Sequence, residues 1–309
     1  MVDIIRIENL TKEYGEIIAN DNINLKIREG EIVGIVGPNG AGKTTLIKQL
    51  TGELIPTSGK IYVMDFDVVK DPSPIKPYIG VCPQEGSLLY YLTVWEHVYY
   101  FARLKGLPKD KARENTQRVL EMLGLENYKN RLVGQLSGGL KRKVFVSIAL
   151  VNNPRIIFLD EPTTGLDPDS RIKLWNTIKE IKEGNPEVTM LITTHYLEEL
   201  DYLSNRIVFI HKGKVILDGT ISDIKRLVLN YTLKVSVPAG VKEHVFGLLN
   251  KTGVFGKVEV AGERVSVLLS EEDGVVFIPE LLKITKDITI TTPTLDEVFM
   301  EVVKNEETN

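Results

Sequence analysis

Apolar positions along this chain follow two rhythms, one of buried strands and one of helices. In EIVGIVGPNGAGKTTLIKQLTG, residues 31–52, an apolar strand leads into a glycine-rich loop and then a helix that Gly52 ends. From residue 87 to about 153 the pattern is mostly helical, with Gly106-Leu107-Pro108 and Gly124 as punctuation. Within it, Ser137 is a good N-cap, and Val144, Ile148 and Val151 follow at helical spacing. Asn153-Pro154 stops that helix, and residues 155–160 read as a buried strand. Asp167 then caps a helix whose first position is Pro168. VTMLITTH, residues 188–195, is another buried strand, and residues 206–219 form a hairpin turning at Lys212-Gly213. Strands alternating with helices predict an α/β core.

The character changes near Lys225. Strand YTLKVSV, helix KEHVFGLLN, hairpin KVEVAGERVSVLL, helix VVFIPELLKI and strand ITITT follow, the last leading into TLDEVFMEVV. That βαββαβ order is the pattern of a small ferredoxin-like module. Two domains are therefore expected: residues 1–224, with a helical subdomain at about 87–153, and an accessory domain at 225–309.

Bulk composition narrows the partners. With 43% hydrophobic and 26% charged residues the chain reads as an ordinary globular protein, and its net charge of −4 gives no reason to expect a nucleic-acid partner. The single cysteine, Cys82, cannot form an intramolecular disulfide, suits a reducing compartment and reads as a small buried residue. MVDIIRIENL lacks a signal-peptide pattern, and the apolar run VFVSIALV falls far short of the roughly 20 residues that span a bilayer. Any membrane role is expected to come through a partner.

The loop GPNGAGKT, Gly37 to Thr44, satisfies the phosphate-loop pattern G-x-x-x-x-G-K-[ST]. The binding stretch is Gly37, Pro38, Asn39, Gly40, Ala41, Gly42, Lys43, Thr44 and Thr45. Backbone N–H groups around Asn39–Gly42 can surround phosphate oxygens, and the helix dipole adds positive potential there. Lys43 is expected to reach the β- and γ-phosphates and Thr44 to bind Mg²⁺. Asp160 and Glu161 end a buried strand, where open α/β sheets bind ligands. Alone, such acids are commonly just solvated. Beside a phosphate loop, Asp160 is expected to hold Mg²⁺ and Glu161 to polarise the attacking water. Gly138 and Gly139 follow Ser137 at a helix mouth, where each costs about 1 kcal/mol against alanine. Unpaired N–H groups and the dipole make that mouth an anion site.

Together these residues resemble the ATP-binding cassette (ABC) ATPases, with motifs in order from Ile4 to Asp223. Leu136, Ser137, Gly138 and Gly139 match the family signature, Gln84 the Q-loop glutamine, Asp167 the D-loop, His195 the switch histidine and Tyr14 the aromatic that stacks on adenine. The resemblance implies a P-loop NTPase, RecA-like core with β and helical subdomains. It implies that the chain binds ATP and Mg²⁺, hydrolyses ATP, and dimerises so that each signature completes the partner's site. It assigns His195 to the γ-phosphate and Gln84 to Mg²⁺ and water. It further implies a second, identical subunit and a separate integral membrane permease, with this chain peripheral at the cytoplasmic face. Leu140 stands where the family commonly has glutamine, and Lys141-Arg142-Lys143 follow. Taken by itself that basic run reads as a solvated helix face. With the tail TPTLDEVFMEV it is similar to the exporter branch that moves drugs, antibiotics and lipids. The aromatic stretch LLYYLTVWEHVYYFARL reads as packing of the helical subdomain, to which the resemblance adds a groove for a short permease helix. The rival readings are a soluble ABC-type ATPase acting on ribosomes or DNA, and a regulatory nucleotide-binding module, against which Glu161 argues.

Overall fold

The computed structural model describes residues 2–84, 86, 88–224, 233–254, 256–292, 294–295, 297–299 and 302. The chain divides into two units, Met1–Asp218 and Gly219–Asn309. The expected domain boundary at 224/225 adjoins residues 225–232, which lie outside the described residues, as do the first two positions of the strand expected at 231 and positions 293, 296, 300 and 301 of the tail motif.

The first unit opens with strands β1 (Asp3–Tyr14), β2 (Ile17–Arg28) and β3 (Ile32–Val36), then helix α1 (Lys43–Leu50) and strands β4 (Ser58–Val63), β5 (Phe66–Asp67) and β6 (Ile79–Cys82). Helices α2 (Val94–Leu104), α3 (Lys109–Met122) and α4 (Gly138–Leu150) form the helical region. Then come β7 (Ile156–Asp160), α5 (Pro168–Gly184), β8 (Thr189–Thr194), α6 (Leu197–Leu203), β9 (Arg206–His211) and β10 (Lys214–Thr220).

Two sheets result. One has the order β2-β1-β4-β5, and the other β10-β9-β3-β8-β7-β6. In the second, β6, β7, β8, β3 and β9 run parallel to one another. Every residue of β3, β7 and β8 is buried, as expected of a parallel sheet covered on both faces. Side chains alternate between two cores: Ile157 and Leu159 face one with α4 and α5, Ile156 and Phe158 the other with α1. Pairings of Val36 with Thr194, Asp160 with Thr193 and Cys82 with Leu159 bring the carboxyl ends of β3, β8, β7 and β6 to one edge. That edge carries the site.

Local signals set the helix ends. Thr93 and Glu96 make a reciprocal capping box at α2, Ser137 accepts from the Leu140 N–H at α4, and Asp167 accepts from the Ser170 N–H at α5. The β9–β10 turn has left-handed φ at Lys212 (45°) and Gly213 (80°), the geometry of a two-residue hairpin turn. The aromatic stretch divides: Val94, Val98 and Ala102 are fully buried, whereas Tyr91 is 93% and Leu104 79% exposed.

In the second unit, β11 (Leu233–Pro238), α7 (Lys242–Thr252), β12 (Lys257–Ala261), β13 (Arg264–Leu269), α8 (Glu271–Leu281) and β14 (Thr289–Thr291) form a sheet of order β12-β13-β11-β14 with both helices. All its neighbouring strands are antiparallel, a split βαβ arrangement around Val235, Val237, Val265, Val267, Phe277 and Leu281. Helix α8 begins at Glu271, four positions before the apolar run VVFI, because Ser270 caps it through the Asp273 N–H.

Candidate functional site

A cleft of about 290 Å³ lies against the glycine loop, lined by Ala19, Asn39 to Thr45, Gln84 and Glu161. The loop needs its glycines for different reasons. Gly40 and Gly42 have φ of 81° and 104°, a region that favours glycine. A Cβ on Gly37 would sit 2.1 Å from the Ile210 carbonyl, and one on Gly42 2.1 Å from that of Ala19. Asn20, fully buried on β2, braces the loop from behind: its Nδ2 donates to Gly42 O (3.2 Å) and its Oδ1 accepts from Gln49 Nε2 (2.6 Å).

Lys43 is buried at the bottom of the loop. Its ammonium donates to the carbonyls of Gly37 (2.8 Å) and Pro38 (3.2 Å) and lies 3.7 Å from Glu161 Oε1. Burial holds it below the ordinary lysine value, and the carboxylates of Glu161 and Asp160 pull it back up. Thr44 Oγ1 donates to Asp160 Oδ1 at 3.3 Å, and the same oxygen accepts from Thr193 Oγ1.

Glu161 is the hub. Its Oε2 accepts from Thr164 Oγ1 (2.9 Å) and Gln84 Nε2 (3.3 Å) and faces His195 Nδ1 at 3.1 Å. Its φ is 46°, a left-handed backbone that costs a non-glycine residue roughly 1–2 kcal/mol. The turn is held: the Glu161 N–H donates to both the carbonyl and the hydroxyl of Thr193, each at 3.0 Å. Asp160 and Glu161 are 3% and 5% exposed, so these carboxylates are not solvated strand-end acids.

Of the expected residues, Gly37 to Thr45, Gln84, Asp160, Glu161 and His195 therefore converge. Tyr14 does not line the cleft: it ends β1 half-exposed, with the Lys12 ammonium 5.1 Å from its ring centroid. Leu136 to Gly139 also lie outside the cleft lining, with Ser137 and Gly138 exposed at the mouth of α4. Asp167 is exposed and caps α5.

The basic run after the signature corrects the expectation of a solvated face. Arg142 is 7% exposed, and its guanidinium donates to the carbonyls of Pro83, Gln84, Asp160, Glu161 and Pro162. Lys143 donates to Leu123 O at 2.9 Å, and Lys141 stacks over Tyr90. A signal was present in the chain: Arg142, Val146 and Ala149 share one helical face, and the latter two are core residues. Asn20, Thr164 and Thr193 were also missed. Asn20 and Thr193 carry no local signal because their partners lie 22 to 33 residues away, whereas Thr164 sits three residues after Glu161 and is one of two adjacent threonines.

Glu199 on α6 is fully buried, accepting from Trp175 Nε1 (3.0 Å) and Thr163 Oγ1 (3.1 Å). Burial pushes its carboxyl above the ordinary glutamate value, while hydrogen bonds to Thr194, Thr163 and Trp175 pull it back. The folded chain thus binds this proton more tightly than the unfolded chain. The stability involved is fully present below the ordinary value of 4.5 and is lost as pH rises through the folded-state value. Glu199→Gln removes that dependence. Its Tm relative to the wild type should climb as pH rises from about 5 to 8, and a flat difference would show no protonation change at Glu199 on folding.

A strand–glycine loop–helix unit facing two buried carboxylates across a cleft defines a P-loop nucleotide-binding protein. The profile of the ABC transporter family matches residues 20–164. The chain is 34% identical over 302 residues to the daunorubicin resistance ATP-binding protein DrrA3 of Streptomyces coeruleorubidus, covering 96% of this chain and 95% of that one. It is 41% identical over 212 residues to the glucosylceramide transporter ABCA12 of Homo sapiens, covering 68% of this chain and 8% of that one. It likewise spans only 13% of the ABC transporter A family member 6 of Dictyostelium discoideum. Among solved structures, a dimeric, post-hydrolysis ATP-binding cassette bound to ADP and Pi matches with TM-score 0.64 and 30% identity, covering 70% of this chain and 98% of that one. The chain belongs to the ABC transporter family, as an ATP-binding cassette.

Proposed function

We propose that this chain is the ATP-hydrolysing subunit of an ABC exporter, dimerising with a second copy at the cytoplasmic face and driving a separate membrane permease. The observation that carries the reading is the convergence of Lys43, Thr44, Asp160, Glu161, Gln84 and His195 at one sheet edge. Exporter direction is supported by similarity to DrrA3 over nearly both lengths and by Leu140 with the basic run after it. Among the described residues no helix is long and apolar enough to cross a membrane, which fits a separate permease. Residues 225–309 would be an accessory domain.

In this reading the loop N–H groups and the α1 dipole bind the phosphates, and Lys43 exchanges two loop carbonyls for phosphate oxygens. The donor set suits Mg²⁺: a hydroxyl and a carboxylate, Thr44 and Asp160, are hard oxygen ligands that touch at 3.3 Å. With the Gln84 amide oxygen as the third expected ligand, this set leaves room for phosphate oxygens and water, the usual way this ion is held. Bound there, it would offset charge developing on the phosphates. Glu161 accepts a hydrogen bond from the attacking water. His195 cannot serve Glu161 and the γ-phosphate together as a neutral ring, since that ring has one N–H. It donates to the phosphate either as imidazolium or after leaving Glu161. Tyr14 would meet adenine at the cleft's outer end, and Leu136 to Gly139 with Asp167 would act across the dimer.

The test is purification of the tagged full-length chain from detergent-solubilised membranes. An integral membrane protein in stoichiometric yield supports the reading, and recovery of ribosomes or DNA in its place overturns it.

A further inference from the structure

We infer that Arg142 is a positioning residue, holding Glu161 and the Gln84 backbone in fixed relation to the helix that begins at Ser137. The inference rests on the reading of Glu161 as the group that polarises water.

The argument starts from the shape of the backbone. Because Glu161 is left-handed at φ 46°, the carbonyls of Asp160, Glu161 and Pro162 all turn toward one point. Three successive carbonyl dipoles pointing together repel one another, and the curl also sets aside the regular extension of β7. A buried cation offsets that repulsion. Arg142 supplies it: Nε donates to Pro162 O (2.7 Å), and Nη2 to Asp160 O (2.8 Å) and Glu161 O (3.0 Å). Nη1 reaches the other strand end, donating to Pro83 O (2.7 Å) and Gln84 O (3.3 Å). The planar fork of five N–H donors fits two diverging chain segments at once, which a point-charge ammonium cannot do.

Arg142 lies five positions after Ser137, so its stem is part of the first turns of α4. A shift of that helix therefore pulls on the Gln84 and Glu161 backbones through one rigid group. With Thr193 accepting from the Glu161 N–H and Arg142 donating to the Glu161 carbonyl, the side chain of Glu161 is aimed by two anchors. Neither Arg142 nor Thr193 itself lines the nucleotide cleft; both act through the backbone of residues that do.

The experiment compares full-length wild type with Arg142→Met, Arg142→Lys and Glu161→Gln. Arg142→Met should lower kcat about 30-fold or more with the ATP Kd within about threefold, because the phosphate contacts stay intact. Arg142→Lys keeps the charge but can make only some of the five bonds, so its kcat should fall about tenfold and lie above that of the Met variant. Amide hydrogen exchange should quicken at residues 79–84 and 158–162 in Arg142→Lys and stay unchanged in α1. If Arg142→Met does not fold, Arg142→Lys decides alone. A kcat within about twofold of wild type there, or unchanged exchange in both segments, overturns the inference. Glu161→Gln separates the two possible failures. If it hydrolyses ATP like the wild type, the reading of Glu161 falls. If it is inactive while the Arg142 variants keep their kcat, only the positioning role falls.

Discussion

Glu161→Gln is expected to lower steady-state ATP hydrolysis by about 10²–10³-fold while leaving ATP affinity within about threefold. The Lys43 and Thr44 contacts to phosphate do not pass through Glu161, so binding should survive. The lost chemistry follows from the hydrogen-bond inventory. As a carboxylate, Glu161 offers only acceptors, and Oε2 already receives Thr164 and Gln84 and faces His195 Nδ1. An amide has one acceptor oxygen and an NH₂ group, so at least one of these donors, or the attacking water, would face a donor. The negative charge that polarises water is removed as well. The ATP-bound dimer should therefore accumulate and be seen as a doubled mass by size-exclusion chromatography with light scattering. Turnover within a few-fold of wild type would remove Glu161 from the mechanism.

The second large effect concerns how many chains build one site. Lys43→Ala alone and Ser137→Arg alone should each be inactive, and mixing them should restore ATP-dependent dimerisation and part of the hydrolysis. Two features of the single chain motivate this. The signature residues do not line the cleft, and a Cβ built on Gly138 meets nothing within 4 Å. Among the described residues nothing at Gly138 requires a glycine, as expected if the proposed partner approaches this surface from outside. In a two-fold dimer with signature facing phosphate loop, one site of the mixed pair carries both lesions and the other is intact. Dimer trapping is the first readout, since strict coupling between sites could silence turnover in the mixture. No recovery in either assay would remove the shared site.

Much of the site could be read from the chain because its parts follow strands that end together. The glycine loop after β3, the carboxylates after β7 and the histidine after β8 each announce themselves by an apolar run that stops at a chemical group. What escaped notice has no such punctuation. Arg142 reads as one of three bases on a helix, and only its phase with Val146 and Ala149 marks it as inward. Asn20 precedes Lys43 by more than a full strand and loop and meets Gly42 and Gln49 only once the glycine loop and α1 fold onto β2; Thr193 is one threonine in TTH, and pairing of β8 with β7 gives it Asp160. Tyr14 was legible as an aromatic but not in place, since a loop-end ring in contact with Lys12 is positioned by side-chain contact and not by periodicity.

The alternation of β7 between two cores makes the chemistry depend on folding fidelity. A slip of that strand by one residue would move it about 3.3 Å and exchange Ile157 and Leu159 with Ile156 and Phe158 between the two faces. Asp160 would turn away from Thr44, and Glu161 would lose both Arg142 and Thr193 in the same event. A misregistered chain could not be a slightly poorer enzyme. It would bury the wrong side chains and lose its carboxylates together, so the defect would reach cellular quality control as a misfolded protein before it could waste ATP.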